Sequence, residues 1–163
     1  MASQELSNRK MSQVTYDLLT SRKAELEIEI RQRGSEGGGH QRASLHDDAA
    51  AENALNLLRA ELIQIGDLGH VDIIEPRIIT ETAGLGNQIE VLFDGEKEGE
   101  KYLILSSEDA LHRKKTIGQN ILPDTSPLGV AVLGKKPGEE VKFVAGGKNS
   151  ISAKILKIDK GTF

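Results

Sequence analysis

The chain of 163 residues has no cysteine and no tryptophan, and its aromatic content is 3%. Without cysteine there is no disulfide framework and no thiolate-ligated zinc. So few aromatic rings exclude a base-stacking platform for single strands and a large aromatic ligand pocket. No apolar run approaches the ~20 residues of a membrane span. The opening MASQELSNRKMSQ has no apolar core, so no signal peptide or membrane attachment is expected, and the expected location is cytoplasmic. Charge of one sign is also missing: 25 acidic residues stand against 21 basic ones, for a net charge of −4. That balance does not suit a protein that coats nucleic acid, and stable direct DNA binding is not expected.

What is present divides by texture. Residues 1–13 are polar, carry no period and read as a flexible tail. VTYDLLTSRKAELEIEIRQR, from Val14 to about Arg33, carries Leu19 and Leu26 seven apart, then Ile30 and Arg33. This is a single apolar stripe on a charged helix, expected to stop at Gly34. GSEGGGHQRA, residues 34–43, holds four glycines and reads as a loop. Ser44, with Asp47 three positions on, opens a second helix to about Asp67. Its Leu55, Leu58, Leu62 and Ile65 repeat at three, four and three residues. Neither stripe can be buried alone. The pattern predicts an antiparallel two-helix coiled-coil hairpin over residues 14–69, with 34–48 at its free end.

From His70 the pattern changes to strand-like runs at residues 70–78, 87–95, 100–107, 139–146 and 150–159. Turn residues separate them at Gly84–Asn87, Asp94–Glu98 and Gly146–Asn149. SPLGVAVLGKKPG reads as a short apolar helix that Pro127 starts and Gly134 ends, with its leucines packed under the sheet. The fold class so predicted is α+β, with an antiparallel-sheet domain and one short helix over residues 70–163.

Several residue groups bear chemistry. Asp47 and Asp48 fall in the first turn of the second helix, where carboxylates also complement the helix dipole. Glu36 lies in the glycine segment, and Glu52 shares a helix face with Asp48 at i+4. His40 and His46 flank these acids, but a glycine-rich loop does not pre-organise a zinc site. His112, Arg113, Lys114 and Lys115 form a basic cluster that reads as a solvated loop or as a contact patch.

SPLGVAVLGKKPGEEV, residues 126–141, resembles the "SPLG-x-ALLGK-x-x-GDEV" stretch of the Gre-factor family (GreA and GreB) of bacterial transcription elongation factors. Thr15 followed by KAELE at Lys23–Glu27 is similar to the start of that family's first helix. Glu52-Asn53-Ala54 resembles part of the family's "ENAEY". The resemblance implies an FKBP-like C-terminal domain that docks on RNA polymerase and a hairpin that enters the secondary channel. It also implies that the tip acids Asp47, Asp48, Glu36 and Glu52 act at the polymerase's own active site. There Asp47 and Asp48 are candidate ligands of a second Mg²⁺, a hard cation that prefers oxygen. The implied polymerase contacts are Ser126, Pro127, Leu128, Gly129, Lys135, Lys136, Arg113 and Lys114, with nascent RNA a second candidate contact. No cofactor of its own, no catalytic residue of its own and a monomer are expected.

The tip departs from the family pattern. Where the family reads "GDLKENAEY", this chain reads HDDAAAENAL, and Asp48 and Glu52 are four apart instead of three. The hairpin is shorter than a typical one by roughly a dozen residues, about 9 Å of reach. Polymerase modulation without efficient transcript cleavage is therefore expected ahead of true cleavage. A third reading, prolyl isomerisation, would need an aromatic pocket, for which residues 70–163 offer only Phe93, Tyr102, Phe143 and Phe163. A fourth is a coiled-coil adaptor whose acidic tip is incidental.

Overall fold

A computed structural model describes residues 8–36, 45–147 and 149–163; of these, the side chains of 36, 45–47 and 114–116 are not described. The mixed α+β chain forms two compact units. One contains the residues up to Tyr16 together with Val71–Phe163, and the other is Asp17–His70.

The sheet unit is built on five strands: β3 (Asn87–Phe93), β4 (Glu100–Leu105), β5 (Ile121–Pro123), β6 (Glu140–Ala145) and β7 (Asn149–Lys160). Their order is β5-β4-β3-β7-β6. Every pairing is antiparallel except β4 with β5, which is parallel. The sheet is therefore mixed, not purely antiparallel as its sequence suggests. The three-residue β5 is too short to show a period, and its direction depends on the helix that precedes it.

Alternation explains which residues turn inward. On β3, Asn87, Ile89 and Val91 are buried while Gln88 and Glu90 are half-exposed. β7 changes face partway. Glu90 pairs with Lys157 and the next residue, Val91, with Ile155, so Leu156 is bulged out. Ala153 and Ile155 point into the core before this bulge and Ile158 after it. A residue inserted into one strand reverses the parity beyond it.

β4 is buried on both faces, with Leu103, Ile104 and Leu105 at 1%, 0% and 0% exposure. Ile104 joins a core of Ile89, Val91, Leu122, Leu128, Val132, Val141 and Ile155. Leu103 and Leu105 join a second core with Ile74 and Ile121, against which Ala110 of α3 (Ser107–Thr116) and Ile117, the residue that caps its end, pack. The first core is closed by α4 (Pro127–Val132). A strand covered on both sides reads as a continuous apolar run, as YLIL does.

The tail expected over 1–13 contains β1 (Arg9–Ser12), which pairs in parallel with β2 (Val71–Ile74). Met11 and Ser12 are fully buried. Four residues are too few to display periodicity, and this strand exists through non-local pairing. The run at 70–78 yields only β2, which belongs to this small sheet and not to the large one.

Asp109, 0% exposed, ties distant parts of the sheet unit together. Its carboxylate accepts from Ser12 Oγ at 2.5 Å and Thr15 Oγ1 at 2.6 Å. It also accepts from Ser12 N at 3.0 Å and Ser106 Oγ at 2.8 Å. Every partner is a donor, as an acceptor-only carboxylate requires. The same aspartate completes a capping box with Ser106 at the start of α3.

Asp109→Ala leaves buried hydroxyls and an amide without acceptors, and is expected to cost about 3 kcal/mol or more. Asp109→Asn is expected to fall between, since one oxygen remains. Urea unfolding followed by circular dichroism measures both; a loss under about 0.5 kcal/mol for the alanine would contradict the role given to this carboxylate.

Candidate functional site

In the second unit, α1 (Gln13–Glu36) from Asp17 onward and α2 (Leu45–Ile65) supply the residues. The stripes are as the spacing predicts: Leu19, Leu26 and Ile65 are buried, and Ile30, Leu55, Leu58 and Leu62 are half-buried. Arg22 grips Glu61 with two parallel bonds, Nε to Oε1 at 2.7 Å and Nη2 to Oε2 at 2.8 Å. That pairing, with Glu25 beside it, raises the Arg22 guanidinium further above its ordinary value. Lys23 Nζ donates to the Gly66 carbonyl at 3.0 Å, just past the end of α2.

α1 runs through Gly34 to Glu36 instead of stopping at Gly34. A single glycine costs a helix only about 1 kcal/mol, and Gln32, Arg33 and Glu36 near it are good helix formers. Glu36 is thus the last residue of a helix and not part of a loop. Asp47 sits in the first turn of α2. The side chains of Glu36 and Asp47, all of His40 and the Ser44 cap lie outside the described residues. Asp48 and Glu52 are exposed, one turn apart on α2, with no hydrogen bond or ion pair among the described residues. No group of three or more His, Asp or Glu able to hold a metal exists among the described residues.

The SPLG segment forms a locally determined element. Ser126 caps α4: its Oγ accepts from Gly129 N at 3.1 Å and donates to Pro123 O at 2.7 Å. Pro127 follows at the first turn, where its missing N–H costs nothing. Gly129 has no room for a side chain, because a Cβ would stand 2.0 Å from Pro123 O. Gly134 then turns the chain at φ 76°. Its N–H donates to Ala83 O at 2.8 Å, and Ala83 N donates to Lys135 O at 2.8 Å. The exit of α4 is thereby tied to the loop 75–86.

That loop is organised by the buried Asn87. Its Oδ1 accepts from Gly84 N at 3.0 Å, and its Nδ2 donates to the carbonyls of Ile79 (2.9 Å), Arg77 (3.2 Å) and Asp159 (3.2 Å).

Of the contact residues the resemblance implies, the structure sorts two groups. Leu128 and Gly129 are buried, and Leu128 packs in the first core. Pro127, Lys135 and Lys136 are exposed, and Ser126 is half-exposed. Leu133, expected beneath the sheet, is 37% exposed; Val132 takes the buried place. Arg113 is exposed on α3, and Lys114 lies in the same helix. The basic cluster is therefore helical and not a loop. The available signal was Ser106-x-x-Asp109, a capping spacing just before it. That spacing also points to Asp109, which residue-type reasoning alone passes over.

Residues 79–160 match the family model described as transcription elongation factor, GreA/GreB, C-terminal. The chain belongs to the GreA/GreB family of transcription elongation factors. Among solved structures it is similar to GreA factor homolog 1 (Gfh1) of Thermus thermophilus, at 18% identity and TM-score 0.39, over 93% of this chain and 98% of that one. Thermus aquaticus Gfh1 is similar at 18% identity and TM-score 0.38, with 93% and 98% covered. A GreA/GreB factor from Nitrosomonas europaea is similar at 15% identity and TM-score 0.39, again with 93% and 98% covered. No curated protein sequence matches the chain significantly. No helix among the described residues is long and apolar enough to cross a membrane.

Gly129→Ala drives a methyl into a backbone carbonyl and is expected to destabilise the protein by about 2 to 3 kcal/mol. Thermal or urea unfolding checks this, and an unchanged midpoint would refute the close approach.

Proposed function

We propose that this Gre-family factor binds RNA polymerase at the secondary channel and modulates elongation through an acidic hairpin tip, without efficient transcript cleavage. Family membership and the exposed pair Asp48 and Glu52 carry the reading. In this reading α1 and α2 are the arms of an antiparallel coiled-coil hairpin. Connectivity supports that direction. With Arg22 opposite Glu61, a parallel pair would separate residues 36 and 45 by ~45 Å, and the intervening residues 37–44 reach only ~30 Å. Antiparallel, Glu36 and Asp48 each lie about 20 Å along their helices from the Arg22–Glu61 bridge.

The sheet unit is taken as the FKBP-like foot that holds the factor on the polymerase. Exposed Pro127, Lys135, Lys136 and Arg113 are its contact residues. Cytoplasmic location follows from such a partner.

The tip acids hold no metal by themselves. Asp48, with Asp47 beside it in sequence, fits the role of a carboxylate that completes the shell of a Mg²⁺ held by the polymerase. When bound, that metal would activate water for cleavage of the RNA. The spacer Ala49–Ala51 and the shorter arms argue that this alignment is poor and that occlusion dominates. A cation near a negative tip is attracted without close coordination, whereas catalysis needs ligands at roughly 2.0 to 2.1 Å.

A prolyl-isomerase reading lacks support in the packing. Phe93 meets Tyr102 and Phe143 edge-on, both at 6.4 Å, and all three rings lean on the first core. Burial, and then donation from its hydroxyl to Glu100, push the Tyr102 phenol up to about 12. Phe163 packs against the other core. Three of the rings thus lie on one core and the fourth on the other.

The test uses core RNA polymerase and a backtracked elongation complex. The protein is expected to co-purify with the core enzyme and to slow RNA extension, with no prompt shortening of the transcript. Asp47→Ala with Asp48→Ala is expected to relieve the slowing at least several-fold while leaving binding in place. Prompt shortening would assign true cleavage instead, and absence of binding would overturn the proposal.

A further inference from the structure

We infer that the loop 75–86 and the exit of α4 form one docking face, and that it takes a protein segment presenting a carboxylate beside aliphatic side chains. This rests on the polymerase reading and names the chemistry of the polymerase surface engaged.

The observation that carries it is Arg77. Its side chain is half-buried, and Nη2 donates to Thr82 Oγ1 at 3.3 Å. Nε is buried with no hydrogen-bond partner. No carboxylate pairs with this guanidinium among the described residues. The group lies flat on the chain: a Cβ on Gly84 would come within 2.8 Å of Cζ and 2.9 Å of Nε and Nη1. An arginine drawn this far out of water ordinarily pairs with an acid, and its planar fork suits a carboxylate. Here that half of the interaction is missing.

The surroundings are equally incomplete. Ile78 and Ile79, beside Arg77, are 75% and 51% exposed. Their exposure does not come from a loose backbone. Arg77 N donates to Gly86 O at 3.0 Å, and the carbonyls of Arg77 and Ile79 accept from Asn87. The paired bonds between Ala83 and residues 134–135 bring in the α4 exit, with Val130 at 63% and Leu133 at 37% exposure, and Lys135. Exposed aliphatics on hydrogen-bonded backbone, in the same loop as an unpaired guanidinium and in the helix exit tied to it, match a partner segment of complementary character, an Asp or Glu set among Leu, Ile or Val. The acids nearby do not fill the role. Glu75 and Glu81 are exposed with no ion pair to Arg77, and Glu139 is engaged by the Lys136 amide at 2.5 Å.

The experiment is a competition titration of full-length protein against core RNA polymerase. Sedimentation detects self-association, and circular dichroism confirms folding. Arg77→Glu is expected to weaken binding at least tenfold. Arg77→Lys is expected to weaken it a few-fold, since an ammonium is not a fork. Ile78→Ser, at an exposed position that folding does not need, is expected to weaken it several-fold. Lys97→Glu, on a loop away from this face, is expected to leave it unchanged. Wild-type binding with unaltered affinity for Ile78→Ser and folded Arg77→Glu overturns this inference and leaves the polymerase reading standing. If Arg77→Glu does not fold, Ile78→Ser decides alone. Self-association abolished by these variants, with polymerase affinity intact, overturns it in favour of a second copy as the occupant. Failure of the wild type to bind the polymerase is a separate result, which removes the proposed function and this inference together.

Discussion

The sheet unit depends for its registry on a single buried carboxylate with only donors around it. Asp109 gathers Ser12 and Thr15 from the start of the chain and Ser106 from the start of α3, across 97 and 94 residues for the first two. Burying an acid is costly unless hydrogen bonds replace its water, and here they do. The result fixes the end of β1, the first turn of α1 and the cap of α3 at one point. A small domain with few aromatic rings and no disulfide gains order in this way. Its apolar cores supply the bulk of the stabilisation, and the polar knot specifies which ends meet.

Elsewhere the unit rests on more local devices. Ser126, Pro127 and Gly129 define α4 within four residues, and Asn87 ties the loop 75–86 to the last strand. A long match to the family's motif is thus first a match of packing and turn chemistry. What this rigidity presents is a set of exposed side chains beside the α4 exit, on backbone that hydrogen bonds hold in place.

Legibility followed length and periodicity. The two long helices and strands β3 and β6 show in the sequence through their periods, β4 through its continuous apolar run and β7 through its length. β1 and β5 do not, since strands of four and three residues form through partners that the sequence alone does not identify. The basic run at 112–115 hid α3 because exposed helix faces are polar whatever their fold, and only the Ser106–Asp109 spacing marked its start. Gly34 looked like a stop signal, yet one glycine is a weak one. The bulge at Leu156 defeated simple alternation on β7. At the candidate sites, acidic and basic residue types were visible, but burial was not. Leu128 and Gly129 turned out to be internal, while Arg77, unremarked in the sequence, stands out through a bond it does not make.

β6 lies at the rim of the five-stranded sheet and pairs on one side only among the described residues. Rows of free amides and carbonyls invite other chains to add on and grow a ladder. Glu140 and Lys142, both solvent-facing, bracket that rim with opposite charges, and the strand closes on the two glycines Gly146 and Gly147, each at positive φ. An approaching strand would have to desolvate both charges and extend past a backbone that curls away. Such an edge is a poor template for fibrous stacking.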